Sequence, residues 1–214
     1  MMRTPLLVNE RRIDGDALPR PILEELQHVN AIKVLPGESH TAGGPDDLLV
    51  TTLGSCVAAC IRDPQTGFGG MNHFMLPLSH DGAGNWGGVS RSLRYGNHAM
   101  EALINEVLRR GCSRRSLEIK VFGGGNVIGG SSDIGHANAR FVLGYLKNEG
   151  LTVAAADLGG DRARRIYYYP ATGVVKRLIL RRAGDDQDVR RGESLYQRRL
   201  RGEPEAGEVE LFTE

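Results

Sequence analysis

The chain has 214 residues, 40% of them hydrophobic, and a formal net charge of +1. That length fits one domain with tails or at most two small ones, and near-neutrality gives no global reason to expect nucleic acid or an anionic membrane as partner. Three cysteines, at spacings that match no disulfide framework, point to a reducing compartment. The one short apolar run near the start, residues 5–8, falls below the length of a signal-peptide core, and no later segment approaches a membrane span. The expectation is a soluble cytoplasmic domain.

Residues 1–30 are polar and mixed in charge and read as a flexible extension. Residues 31–35 read as a strand stopped by Pro36 and Gly37, and residues 41–45 as a loop. The stretch 49–77 then organises the chain, carrying Cys56, Cys60 and His73. Alternation sets Val57, Ala59 and Ile61 on one face and Cys56, Ala58 and Cys60 on the other. A turn over residues 63–67, with Pro64 presetting φ and Gly67 free to take positive φ, leads to a second strand over residues 70–76. A hairpin folded between Pro64 and Gln65 sets Cys56 opposite His73, with Cβ atoms about 4.5–5.5 Å apart. A one-residue slip sets Cys56 opposite Phe74 instead.

An imidazole beside a thiol can take its proton and leave a strong nucleophile. Gly54 and Ser55, just before Cys56, suit a tight turn whose backbone N–H groups can face a developing oxyanion. The other reading makes Cys56 a small buried hydrophobe and His73 a satisfied core residue, and pattern alone favours it.

Beyond Pro77 a Gly-rich loop carries His80 and Trp86. Residues 97–110 read as a helix with an apolar stripe through Ala99, Met100, Leu103, Ile104, Val107 and Leu108, and Gly111 as its C-cap. Cys112 reads as structural or surface. A strand over 117–122 runs into the glycine-rich segment 123–130, which reads better as a close-packed loop than as a phosphate cradle, since no Gly-Lys-Ser/Thr follows. A second helix is expected over 135–148, capped from residues 131–133, then strands over 151–157, 165–169 and 173–180. Residues 181–214, about half of them charged, read as a disordered tail. Two helices must then cover a strand-rich sheet, giving an α+β layered sandwich. A zinc set built on Cys56, Cys60, His73 and Cys112 is disfavoured, because residues four apart on a strand lie about 13 Å apart.

The segments TLGSCVAACIRDP, GGMNHFMLP, RYGNHAMEALINEVLRRG, KVFGGGNVIGG and AADLGGDRARRIYYYP, in this order, closely resemble the CheD family, the chemoreceptor glutamine deamidases of bacterial chemotaxis. The resemblance spans residues 32–180 and defines a deamidase domain over 31–180. It implies Cys56 as nucleophile and His73 as general base, with a threonine before the LGSC segment orienting the histidine. Of the adjacent Thr51 and Thr52, Thr52 is chosen. The family implies a layered α/β sandwich like that of the cytotoxic necrotizing factor catalytic domain, no metal or organic cofactor, and methyl-accepting chemoreceptors as partners. A CheC-type phosphatase is a further implied partner. A non-catalytic chemotaxis adaptor, binding receptors or such a phosphatase, is the competing function.

Overall fold

The alternating apolar segments of this chain cannot bury both faces alone, and they do so by stacking two sheets. The structure, a computed structural model, describes residues 29–77, 91–127, 134–181 and 184–202. Among these, nine strands form β1 (Asn30–Lys33), β2 (Ser39–Ala42), β3 (Asp47–Leu53), β4 (Val57–Arg62), β5 (Gly69–Asn72), β6 (Glu118–Gly123), β7 (Val153–Leu158), β8 (Arg164–Tyr168) and β9 (Val175–Ile179). The helices are α1 (Arg91–Arg109), α2 (Ile134–Asn148) and α3 (Asp185–Gly202). One sheet has the order β1-β3-β8-β9, the other β2-β5-β4-β6-β7.

Strand alternation decides the layers. Cys56, Ala58 and Cys60 pack against Leu49, Leu53, Ile166 and Tyr168 between the two sheets. Val57, Ala59 and Ile61 face outward from the five-stranded sheet onto Met100, Leu103 and Val107 of α1 and Val142 and Leu146 of α2. The architecture is therefore α+β, with α1 and α2 on one side of a sheet and the second sheet on its other side. Cys112 is buried in the helix–sheet core, a structural position. No described helix is long and apolar enough to cross a membrane.

Three local expectations are corrected. Residues 41–45 are not all loop, because β2 pairs antiparallel with β5 from Ser39↔Asn72 to Ala42↔Gly69. The first helix begins at Arg91 and not at Asn97. The tail beyond residue 181 is not disordered throughout, since Asp185–Gly202 is a helix. Its charged average hides a narrow stripe, Val189, Glu193, Tyr196 and Leu200, at spacings that fall on one helix face. Tyr196 and Leu200 are buried in the core between the sheets, and Val189 packs on the small cluster of Val127, Ala163 and Leu180. His80, Trp86 and the expected cap at 131–133 lie outside the described residues.

Candidate active site

The turn between β3 and β4 carries Gly54, Ser55 and Cys56, and a glycine loop fixes its shape. After β6 the chain turns back against it: the N–H of Gly124 donates to the Cys56 carbonyl at 2.7 Å and that of Gly125 to the Gly54 carbonyl at 2.8 Å. Gly123 holds φ at +104°, and a Cβ there would stand 2.2 Å from the Cys56 carbonyl oxygen, so no side chain fits. The segment 123–125 is thus the close-packed loop that its pattern suggests. Two polar side chains lock it from behind. Asn138 of α2, fully buried, donates from Nδ2 to the Ser55 carbonyl at 2.8 Å and accepts the Leu76 N–H at 2.9 Å. Arg164, buried at the start of β8, donates to the Asp157 carbonyl at 2.9 Å and to the Gly159 carbonyl, while the Gly160 carbonyl accepts the Asn126 N–H at 2.7 Å.

His73 follows the end of β5, and its backbone is pinned on the β2 side: its N–H donates to Glu38 and its carbonyl accepts from Gly37. The imidazole Nδ1 lies 2.7 Å from Thr51 Oγ1. The Thr51 hydroxyl has one proton, and it goes to the Val34 carbonyl at 2.8 Å. The same oxygen must therefore accept from His73, which puts the ring proton on Nδ1 and leaves Nε2 with its lone pair. Nε2 is buried and has no hydrogen-bond partner among the described residues. Thr51, on the β3 face shared with Leu49 and Leu53, is the residue that touches His73. The choice of Thr52 is corrected: its hydroxyl points the other way and accepts from Arg165 Nε at 3.1 Å.

The hairpin register also differs from expectation. β4 and β5 pair Cys60↔Met71, Ile61↔Gly70 and Arg62↔Gly69, and Val57 bridges to Phe74 in the same register. Cys56 is thus not directly opposite His73; the pairing is displaced by two residues, the turn being wider than a fold between Pro64 and Gln65. A shift of two preserves the strand face, so Cys56 and His73 stay on one side of the sheet as diagonal neighbours, where a shift of one would separate them.

A fourth group enters the site from far along the chain. Glu193 of α3 is buried, and its carboxylate sits in the turn of residues 54–56. Oε1 accepts the N–H groups of Gly54 at 3.0 Å and Cys56 at 2.9 Å, and Oε2 accepts the Ser55 N–H at 2.9 Å and its hydroxyl at 2.7 Å. Burial, followed by the neighbouring Glu193 charge, pushes the Cys56 thiol well above its usual range. Burial pulls His73 down to about 4, against the opposing pull of the Glu193 charge and the Val34 carbonyl. Near pH 7 the thiol and the imidazole are therefore both neutral in this arrangement.

Asn138, Arg164 and Glu193 escape sequence reasoning. The first two resemble ordinary helix and strand polar residues, and Glu193 lies in a segment whose composition reads as disordered. Only the spacing of Val189, Glu193, Tyr196 and Leu200 signals a buried helix face.

A thiol, an imidazole with a bare nitrogen and a ring of converging backbone donors define a class: an α+β protein with a centre fitted to nucleophilic attack on an amide or acyl carbon. Comparison with known proteins narrows this. The model of a family described as CheD chemotactic sensory transduction matches residues 75–177. A protein of Rhodopseudomonas palustris (strain BisA53), named "Probable chemoreceptor glutamine deamidase CheD", is 53% identical over 182 residues, covering 85% of this chain and 84% of its own length. Proteins of the same name from Halorhodospira halophila and Janthinobacterium sp. are 46% and 49% identical, covering 86% of this chain in each case and 85% and 90% of their own. The chain belongs to the CheD family. Among solved structures, a Bacillus licheniformis hypothetical protein, YfiH, aligns with 40% of this chain and 26% of its own at 16% identity and a TM-score of 0.27, too slight a likeness to bear on the fold.

Proposed function

We propose that this protein is a cysteine-dependent deamidase that converts glutamines of chemoreceptors to glutamates. The observation that carries the reading is the cradle at Cys56: three successive backbone N–H groups converge on the carboxylate of a glutamyl side chain, beside the base-ready Nε2 of His73. The relatives' shared name supplies the substrate.

The thiol proton of Cys56 passes to His73 Nε2, and the thiolate attacks the amide carbon of a glutamine side chain. The amide oxygen becomes an oxyanion held by the N–H groups of Gly54, Ser55 and Cys56. His73 returns the proton to the departing ammonia, leaving a thioester. A water that gives its proton to His73 then hydrolyses the thioester, releasing glutamate and restoring the thiol. Thr51 keeps the ring proton on Nδ1 throughout, so Nε2 alone trades protons. The product side chain has gained a negative charge, which changes how its helix packs with neighbours.

We assign this chemistry to the domain of residues 31–180, working in the cytoplasm on the cytoplasmic part of the receptor. A CheC-type phosphatase as second partner, and kinship with the cytotoxic necrotizing factor fold, belong to the same proposal. The test is mass spectrometry of a purified receptor cytoplasmic domain after incubation with the protein. Gln-to-Glu conversion is expected with the wild type and absent with Cys56→Ala. Receptor binding without conversion by either protein would instead make the chain an adaptor.

A further inference from the structure

Glu193 is an odd residue to find in the middle of a buried helix stripe. A carboxylate there costs free energy unless it is fully hydrogen-bonded, and here four donors satisfy it. All four belong to the turn that carries Cys56, and three of them are the N–H groups that the mechanism needs for the oxyanion. The side chain that fills this cradle is glutamate, chemically the product of glutamine deamidation. It arrives on a helix, held by the stripe of Val189, Tyr196 and Leu200.

Resting on the deamidase reading, we propose that α3 is an intramolecular occupant of the active site, with Glu193 seated as the product side chain would be, and that the chain is closed to substrate until α3 leaves. A glutamine presented on a receptor helix competes with α3 for the same groove.

The surroundings of α3 fit an occupant. Two clefts run along the docked face of α3, and His73 lines both: one is walled by Leu35, Gly37 and Tyr196, the other by Thr51, Val189 and Glu193. The two clefts share Leu35, Pro36 and His73, so both reach His73 beside α3. The helix is also built weakly. Gly192, beside Glu193, lowers helix propensity in mid-helix, yet a Cβ there would meet nothing within 4 Å, so packing does not require glycine. Leu195 is 57% exposed, so α3 docks through a narrow stripe. Glu193 is moreover a poor candidate for a helper in the reaction: it fills the oxyanion cradle, and its charge opposes the Cys56 thiolate.

The test uses the full chain with two substitutions, Glu193→Ala, which empties the cradle, and Leu200→Asp, which undocks the helix end. Two rates are read: alkylation of Cys56 by iodoacetamide, resolved from Cys60 and Cys112 by peptide mapping, and deamidation of a receptor cytoplasmic domain. Thermal melts verify folding. Glu193→Ala is expected to speed Cys56 alkylation several-fold, because the cradle is emptied and the charge that opposes the thiolate is gone. Leu200→Asp is expected to speed both alkylation and deamidation. Alkylation at the wild-type rate in both variants overturns the proposal. So does loss of deamidation in both while Cys56 still alkylates, since Glu193 would then serve the reaction. Faster alkylation in both variants, with no deamidation by any of the proteins, would leave α3 as the occupant and remove the deamidase reading instead.

Discussion

Thr51→Val isolates the role of a single hydroxyl. The substitution keeps the shape of the β3 side chain and removes the oxygen that accepts from His73 Nδ1 at 2.7 Å. A buried donor left without its partner costs about 1–3 kcal/mol. The ring escapes that cost by rotating or by moving its proton to Nε2, and in either case the base for Cys56 is lost. At about 1.4 kcal/mol per tenfold, kcat for deamidation should fall roughly 5- to 150-fold. The Val34 carbonyl, which also faces the ring, holds the effect toward the lower end. KM should change little, because Thr51 is buried and its hydroxyl is engaged by His73 and the Val34 carbonyl. Thr51→Ser keeps the hydroxyl and should retain most of the rate. Thr52→Val loses only its contact with Arg165 and should leave kcat near wild type. The assay is initial-rate deamidation of a receptor domain across substrate concentrations. Wild-type kcat in Thr51→Val, or an equal fall in Thr52→Val, would refute the reasoning.

Two further outcomes follow from buried polar groups. Asn138→Ala strands the Ser55 carbonyl and the Leu76 N–H together, so urea unfolding should show a loss of about 2–4 kcal/mol, with turnover falling as the Cys56 turn loosens. His73 binds a proton at about 4 when folded, against an ordinary value of 6.5. The unfolded chain therefore takes up the proton first. The stability that His73 contributes is fully present above about pH 6.5 and is lost as pH falls towards 4, by about 3 kcal/mol at most. Urea midpoints measured between these limits should fall less steeply in His73→Gln than in the wild type; parallel slopes would contradict the assignment.

What the sequence determined by itself is periodicity. Alternation in residues 56–61 assigns Cys56 and Cys60 to one face and Val57 and Ile61 to the other, because side-chain direction along a strand follows from the backbone alone. The glycines at 123–125 announce close backbone approach for the same kind of local reason. Tertiary structure decided what depends on partners distant in sequence. The β4–β5 register rests on the width of the turn at 63–68, and a shift of two kept Cys56 and His73 on one face without opposing them. Thr51 and Thr52 are equal as a dipeptide. They differ only because the face of β3 that carries Leu49 and Leu53 packs towards the other sheet, where His73 stands. Glu193 reaches Cys56 across 137 residues, in a segment whose average composition argues against order. The spacing of Val189, Glu193, Tyr196 and Leu200 marks a helix face, but what that face meets is a groove that exists only after both sheets are assembled, so the contact with Cys56 is not written in any local pattern.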